Sequence, residues 1–197
     1  MTNAFRVGWV LRASTVGFAV GCRVLEPNVP QFGDLVKVQL QEDTEIFGLI
    51  YDVQVEDDLA VRQLILAGEM EQEAILDQRQ NRLVPIEISV LIVGYQRNGT
   101  INQGLPPQPP VSLDLLFMCT DQEILAFTEQ MDYLRLVLNA PQVPADELLI
   151  AHLRRAAAAR PPESRHQFLV NAGRELARLL SFDMIRLDGI LQRIKPE

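Results

Sequence analysis

The first half of the chain is a series of β-rich runs, several of which contain an internal glycine. In residues 36–41, Val36, Val38 and Leu40 alternate with polar side chains, which is the period of a half-buried strand. Glycines recur inside such runs at positions 8, 21, 48 and 94, and a glycine within a strand usually marks a bulge or a sharp bend. We therefore predict a small closed antiparallel β-barrel. Its predicted strands are Phe5–Ser14, Gly17–Leu25, Leu35–Gln41, Thr44–Val55, Pro85–Tyr95 and Val111–Met118.

Three segments interrupt this strand pattern. Residues 59–82 favour helix and predict a helical insertion in the barrel. Asn98-Gly99 predicts a two-residue hairpin turn, because both residue types tolerate positive φ. The run LPPQPP at 105–110 predicts a rigid extended connector, although such a run could also be a ligand for a proline-recognising domain.

The remaining residues predict helices. Thr120 and Glu123 have the spacing of a capping box, and the apolar stripe that follows predicts one helix that continues to Leu138 and stops before the prolines at 141 and 144. Two further helices are predicted at about 145–159 and 163–180, and a fourth after a Ser181 cap, with Met184 in its apolar stripe. The fold class is therefore α+β, a small closed antiparallel β-barrel over residues 1–120 followed by a C-terminal helical region over 121–197.

Several residues of the predicted barrel are similar to one known family. A Gly-x-Val opening strand leads through Ser14-Thr15, the turn Gly33-Asp34-Leu35-Val36 feeds the next strand, and Ile46–Ile50 with Asp52-Val53 form another. The order of these features, with Val93-Gly94-Tyr95, the Asn-Gly hairpin and the proline-rich run, resembles the HAS barrel shared by HerA-type ATPases and ATP synthase subunits. The resemblance covers about residues 5–120.

The resemblance implies a barrel that performs no chemistry and docks other proteins beside a ring ATPase. In that family a P-loop ATPase domain follows the barrel, whereas residues 121–197 here predict short helices. Lys37 and Lys195 are the only lysines, and neither follows a glycine, so a Walker A motif is absent from these residues. An ATPase supplied in trans is the partner that the resemblance implies, and the missing domain leaves hexamer formation in doubt.

Charge divides the chain into two unequal parts. Residues 1–140 hold 9 Lys and Arg against 19 Asp and Glu, whereas residues 141–197 hold 9 against 7. An acidic surface repels phosphate backbones, which argues against nucleic acid as a partner of the barrel. The sequence has no apolar run long enough for a membrane span and no signal-peptide pattern, which predicts a cytoplasmic protein.

The candidate reactive residues predict no catalytic, cofactor or metal site. Cys22 and Cys119 lie in apolar runs and are interpreted as buried free thiols. His152 and His166 lack the ligand spacing of a metal motif and are interpreted as surface or helix-packing residues. Acidic residues cluster at 42–45 and 56–58, and both clusters are interpreted as solvated turns. A metal site at the second cluster remains the alternative.

Arginines are the residues of the C-terminal region that best fit a partner-binding role. Arg174 and Arg178 are one helical turn apart, and Arg186 lies on the next predicted helix. The planar guanidinium group binds carboxylates and phosphates with two hydrogen bonds. One interpretation is a solvated helix face paired with Glu163, Glu175 and Asp188. The other is a dock for an acidic protein surface, such as the barrel of a neighbouring copy.

The sequence therefore predicts a non-enzymatic assembly or adaptor module that binds a protein partner or self-associates as an oligomer. The alternative from another class is an accessory factor in nucleic-acid processing that uses the arginine-rich helices. A third hypothesis is a metal-dependent enzyme that uses Asp57 and Asp58.

Overall fold

The computed structural model describes residues 5–24, 30–40, 44–55, 66 and 84–195, and within them the α+β barrel fold is confirmed. The described strands are β1 Arg6–Ala13, β2 Gly17–Val24, β3 Leu35–Gln39, β4 Thr44–Val55, β5 Val84–Arg97, β6 Thr100–Asn102 and β7 Leu115–Met118. Six of them close an antiparallel barrel in the order β1-β7-β3-β4-β5-β2, and β6 pairs with the end of β5 that β2 does not reach. The predicted helical insertion at 59–82 lies outside the described residues, apart from Leu66, which is helical.

The central strands are apolar on both faces because both faces are covered. Along β4, Ile46 and Ile50 point into the barrel, whereas Phe47 and Leu49 point outward into the helices. Gly48 faces the interior at a register shift, where a Cβ atom would overlap Val90. A strand that is buried on both faces has a continuous run of apolar residues. The glycine at the register shift lets the strand bend so that the barrel can close.

Five helices lie within the described part of the chain after β7. They are α1 Asp121–Phe127, α2 Leu134–Leu138, α3 Ala145–Ala158, α4 Pro162–Leu179 and α5 Met184–Ile194. Helix α3 is central, since α2, α4 and α5 all pack against it and it also packs on β4. None of the described helices is long and apolar enough to cross a membrane.

Two local predictions are confirmed by backbone and side-chain geometry. Thr120 caps α1, its hydroxyl accepts from the Glu123 amide, and the Glu123 carboxylate accepts from the Thr120 amide at 2.8 Å. Asn98 and Gly99 have φ of 50° and 76° in the turn that joins β5 to β6. Both features depend on neighbouring residues in sequence, which is why sequence alone predicts them.

The prediction of one helix from the capping box to Leu138 is wrong, because a side chain from the barrel interrupts it. The chain leaves α1 after Phe127 and starts α2 only at Leu134. The Gln103 amide donates to the carbonyls of Phe127 (2.6 Å) and Gln130 (2.9 Å), and its oxygen accepts from the Tyr133 amide (3.1 Å). Gln103 therefore satisfies backbone groups that a continuous helix would have paired internally.

Two predicted boundaries are also wrong. The last strand begins at Leu115, and residues 111–114 form a turn in which the Val111 amide donates to the Asp114 carboxylate at 2.8 Å. Helix α5 is capped by Asp183, whose side chain accepts from the Arg186 amide at 3.1 Å, and Ser181 is not its cap. Asp is as good a cap as Ser, so residue type alone does not choose between them.

The turn before β3 docks directly on α3. Gly33 has φ of +87°, and a Cβ atom there would lie 2.7 Å from the Ala151 Cβ. The Gly33 carbonyl accepts from His152 Nδ1 (3.3 Å), and His152 Nε2 accepts from the Tyr133 hydroxyl (3.0 Å). Beside this contact, Asp34 pairs with Arg155 at 2.8 Å. The helix-packing interpretation of His152 is thus confirmed, and His166 is exposed.

Gly33→Ala should strongly destabilise the protein, because it combines a left-handed backbone with a clash against α3. Gly99→Ala is a matched control, since Gly99 has φ of +76° and its Cβ would meet nothing within 4 Å. We expect Gly99→Ala to lower the free energy of unfolding by about 1 kcal/mol and Gly33→Ala to lower it by roughly 3 kcal/mol. Urea denaturation measures both. Equal losses would show that the contact with α3 is not tight.

His152 should make stability fall as the solution becomes acidic. Burial lowers the pKa of His152 from 6.5 to about 4, so the folded state keeps this ring neutral. Below about pH 6.5 this histidine is protonated in the unfolded state but not in the folded state. The free energy of unfolding therefore falls, by roughly 3 kcal/mol at about pH 4.

Urea denaturation at several pH values should show this dependence in the wild type and in His166→Gln. His152→Gln should be less stable at neutral pH, and its stability should change less between about pH 6.5 and about pH 4. Identical pH profiles for the wild type and His152→Gln would contradict the assignment.

Candidate docking surfaces

The corner between α4 and α5 exposes three large apolar side chains in four consecutive residues. Helix α4 ends where the Leu180 amide bonds to the Leu176 carbonyl at 2.8 Å, and Leu180 itself is buried. Asp183 then caps α5, so the connection between the two helices is short. Phe182 is fully exposed, Ile185 is 89% exposed and Met184 is 64% exposed. We call Phe182, Met184 and Ile185 the helical tip.

Two of the three predicted partner-binding arginines lie beside the helical tip. Arg174 and Arg178 are exposed on the last turns of α4, about two turns and one turn before Phe182 respectively. Arg178 binds Glu175, with Nε 3.0 Å from Oε2, and these hydrogen bonds hold the pKa of Glu175 below its usual value. Arg186 instead points back to Asp146 of α3, with Nη2 2.6 Å from Oδ1. Arg186 therefore joins two helices of the bundle.

Most other arginines of the C-terminal region are engaged within the protein. Among the described residues from 141 to 195, Arg174 is the one arginine that makes no hydrogen bond or ion pair with another described residue. The remaining engagements are Arg154 with the Arg193 carbonyl, Arg155 with Asp34, Arg160 with Thr128 and the Phe168 ring, Arg165 with the Arg160 carbonyl, and Arg193 with Glu147. The predicted partner Glu175 is confirmed, whereas Asp188 accepts from Gln192.

A second apolar surface lies on the outer face of β1 and β7. Trp9 pairs with Leu115 on the neighbouring strand, and both side chains point outward. The next residues along the two strands, Val10 and Leu116, point into the barrel. Trp9 is 44% exposed, and the Arg6 guanidinium lies 5.0 Å from the centre of its ring. We call this surface the barrel stripe; its residues are Trp9, Leu11, Leu113, Leu115 and Phe117.

Leu113 projects from the stripe in a strained backbone conformation. Its φ is 74°, which leucine rarely adopts, and its side chain is 78% exposed. Hydrogen bonds hold it in place: its amide donates to the Val10 carbonyl at 2.9 Å, and the Ser112 hydroxyl donates to the Leu11 carbonyl at 3.0 Å. Backbone strain of this kind tends to persist at functional positions.

The helical tip and the barrel stripe belong to opposite sides of the molecule. Around the closed barrel, β1 and β4 are three strands apart. Helix α3 packs on β4, and the other long helices pack on α3. The stripe, which is centred on β1, therefore faces away from the helices that carry the tip.

Sequence reasoning missed most of these surface residues. Met184 was predicted to belong to an apolar core stripe, but it lies beyond the bundle at the start of α5, and only Leu187, Ile190 and Ile194 of that helix are buried. Leu113 was predicted within a strand. The sequence Ser112-Leu113-Asp114 was a usable signal, because Ser and Asp favour turns.

Within the described part of the chain, no group of three His, Cys, Asp or Glu residues could hold a metal ion. Asp57 and Asp58, and with them the second acidic cluster, lie outside the described residues. Cys22 and Cys119 are free and buried, as predicted, and burial raises the pKa of both thiols.

Comparison with known proteins identified no relative: no protein-family model matches the chain, and no curated protein is significantly similar to it. The resemblance to the HAS barrel therefore stays a prediction.

Leu113→Gly should stabilise the protein relative to Leu113→Ala, although both remove the same exposed side chain. Alanine keeps a Cβ at φ of 74°, whereas glycine adopts positive φ without that clash. We expect a difference of about 1 kcal/mol in favour of glycine, measured by urea denaturation. If alanine is equally stable, Leu113 is not strained.

Proposed function

We propose that this protein is a non-enzymatic adaptor that holds two protein surfaces together. Support comes from its two exposed apolar surfaces, the helical tip and the barrel stripe, which lie on opposite sides of the fold. Exposed clusters of large apolar side chains commonly mark protein interaction sites. Trp, Arg and other large side chains dominate interface energies, and Trp9 with Arg6 and Phe182 with Arg178 are such groups.

Charge supports a partner with an acidic rim at the helical tip. Arg174 is exposed without an ion pair to any described residue, and Arg178, one turn further along α4, is exposed although it pairs with Glu175. Complementary charges around an apolar centre increase association rates and select the partner. We expect Phe182 and Ile185 to enter an apolar pocket on the partner while the arginines contact its edge.

The arginine engagements within the fold leave the nucleic-acid alternative with little support. Phosphate binding needs several free cations on one surface, whereas Arg155, Arg186 and Arg193 already pair with carboxylates of this chain. The acidic composition of residues 1–140 also argues against binding to nucleic acid.

A ring ATPase supplied in trans is the partner class that the resemblance to the HAS barrel suggests. This part of the proposal rests on the sequence order of residues 5–120, and kinship with that family is itself proposed. Self-association is the competing outcome, since the acidic barrel of one copy could meet the basic edge of the tip on another.

Native co-purification with quantitative mass spectrometry tests the adaptor proposal. A tip variant, Phe182→Ser with Ile185→Ser, and a stripe variant, Trp9→Ser with Leu113→Gly, should each lose a different partner. Because each removes two exposed anchors, we expect affinity to fall by at least about tenfold. Val55→Ser changes another exposed apolar residue, 69% exposed, outside both surfaces and should retain every partner.

Charge reversal tests the edge of the tip separately. Arg174→Glu with Arg178→Glu should release the tip partner and leave the stripe partner bound, whereas Arg97→Glu, an exposed arginine of the barrel, should change neither. Light scattering of the purified protein detects self-association. The proposal fails if no protein is retained and the chain is monomeric, or if every retained protein is insensitive to both surface variants.

A further inference from the structure

Two neighbouring cavities of about 400 and 300 Å³ lie between the barrel and residues 135–142, and they share Val16 and Gln142 in their linings. Neither cavity is lined by a residue of the two docking surfaces. The first cavity extends over the β1–β2 turn to Tyr51 and Ser89, and the second extends to Leu105 and Leu136. We call this feature the barrel–helix groove.

The groove has apolar walls with polar groups at its rim. Val16 is 45% exposed where the two cavities join, and Leu105 and Leu136 line the second cavity. The side-chain amides of Asn139 and Gln142 are exposed along the edge. Such amides can both donate to and accept from a peptide backbone.

The groove lining is free of acidic residues, although the chain has 26 Asp and Glu against 18 Lys and Arg. It contains an arginine toward each end, Arg12 in the first cavity and Arg135 in the second. Arg12 already pairs with Glu87. Arg135 is exposed on α2, and its side chain makes no hydrogen bond or ion pair with the described residues. The second cavity therefore presents an available cation beside apolar walls.

The geometry points to a binding site for an extended, acidic segment of a partner protein. Two consecutive cavities suit apolar side chains of an extended chain, the rim amides suit its backbone, and Arg135 suits a carboxylate between them. An acidic segment would be repelled by the carboxylates of this acidic protein elsewhere on its surface. The lining of the groove has no carboxylate that would repel it. This site is independent of the proposed adaptor function, because it includes no residue of the tip or the stripe.

Peptide display on phage tests the site with the full chain as the target. A random library of linear peptides about eight residues long, roughly 25 Å when extended, is selected on the wild type. Enriched peptides are synthesised and their affinities measured by fluorescence anisotropy. We expect Asp or Glu beside apolar residues in the enriched sequences, and affinities that fall as salt concentration rises.

Variants at exposed positions locate the binding. Arg135→Glu should weaken binding of the selected peptides by about tenfold or more, and Val16→Glu, which places a negative charge where the cavities join, should do the same. Arg97→Glu is the matched charge control and should retain the affinity within about twofold. The tip variant Phe182→Ser should also bind normally, which separates this site from the adaptor surfaces.

Three results would overturn the inference. They are failure to enrich any peptide, enrichment of peptides without an acidic preference, and equal affinity of the wild type and Arg135→Glu. Circular dichroism of each variant shows whether a loss of affinity comes from the groove or from unfolding.

Discussion

The contact between the Gly33 turn and helix α3 joins the two halves of this protein. It combines a close backbone approach that only glycine allows with a chain of buried hydrogen bonds from the Gly33 carbonyl through His152 to Tyr133. Tyr133 in turn packs against Phe127, whose ring contacts Phe47 of the barrel at 5.0 Å between centroids. Because these groups are fully buried, losing one would leave a polar partner unsatisfied in the core. Barrel and helices are therefore expected to unfold as one unit.

Because α3 packs on one side of the barrel, the outer face of the barrel is covered on that side and exposed to solvent on the other. Outward residues of β4 and β5, such as Phe47, Leu49 and Val93, are buried under the helices. On β1 the outward residues Trp9 and Leu11 have no such cover and stay partly exposed. Exposed apolar side chains that lie together on one strand face are a common feature of protein interaction sites, and for this reason we interpret them as a surface for a partner.

Internal ion pairs decide which arginines remain available to a partner. Arg155, Arg186 and Arg193 bridge α3 to the barrel turn or to α5, and Arg160 lies over the Phe168 ring at 3.7 Å. Arg174 and Arg135 stay free of such contacts with described residues, one near the helical tip and one in the barrel–helix groove. Some arginines thus stabilise the fold and others are available to a partner, and the position of each arginine in the fold decides which.

Features that depend on neighbouring residues were predictable from sequence by itself. The strand alternation near Val36, the Asn98-Gly99 hairpin and the Thr120–Glu123 capping box are determined by local backbone preferences and short-range hydrogen bonds, and the α+β barrel follows from their order. Features that depend on distant residues were decided by the tertiary structure. Gln103 interrupts a predicted helix from 24 residues or more away in the chain, and Asp146 pairs with Arg186 across 40 residues. The exposure of Phe182 and Leu113 likewise depends on where the core ends, because periodicity identifies apolar residues without showing which of them find a covering surface.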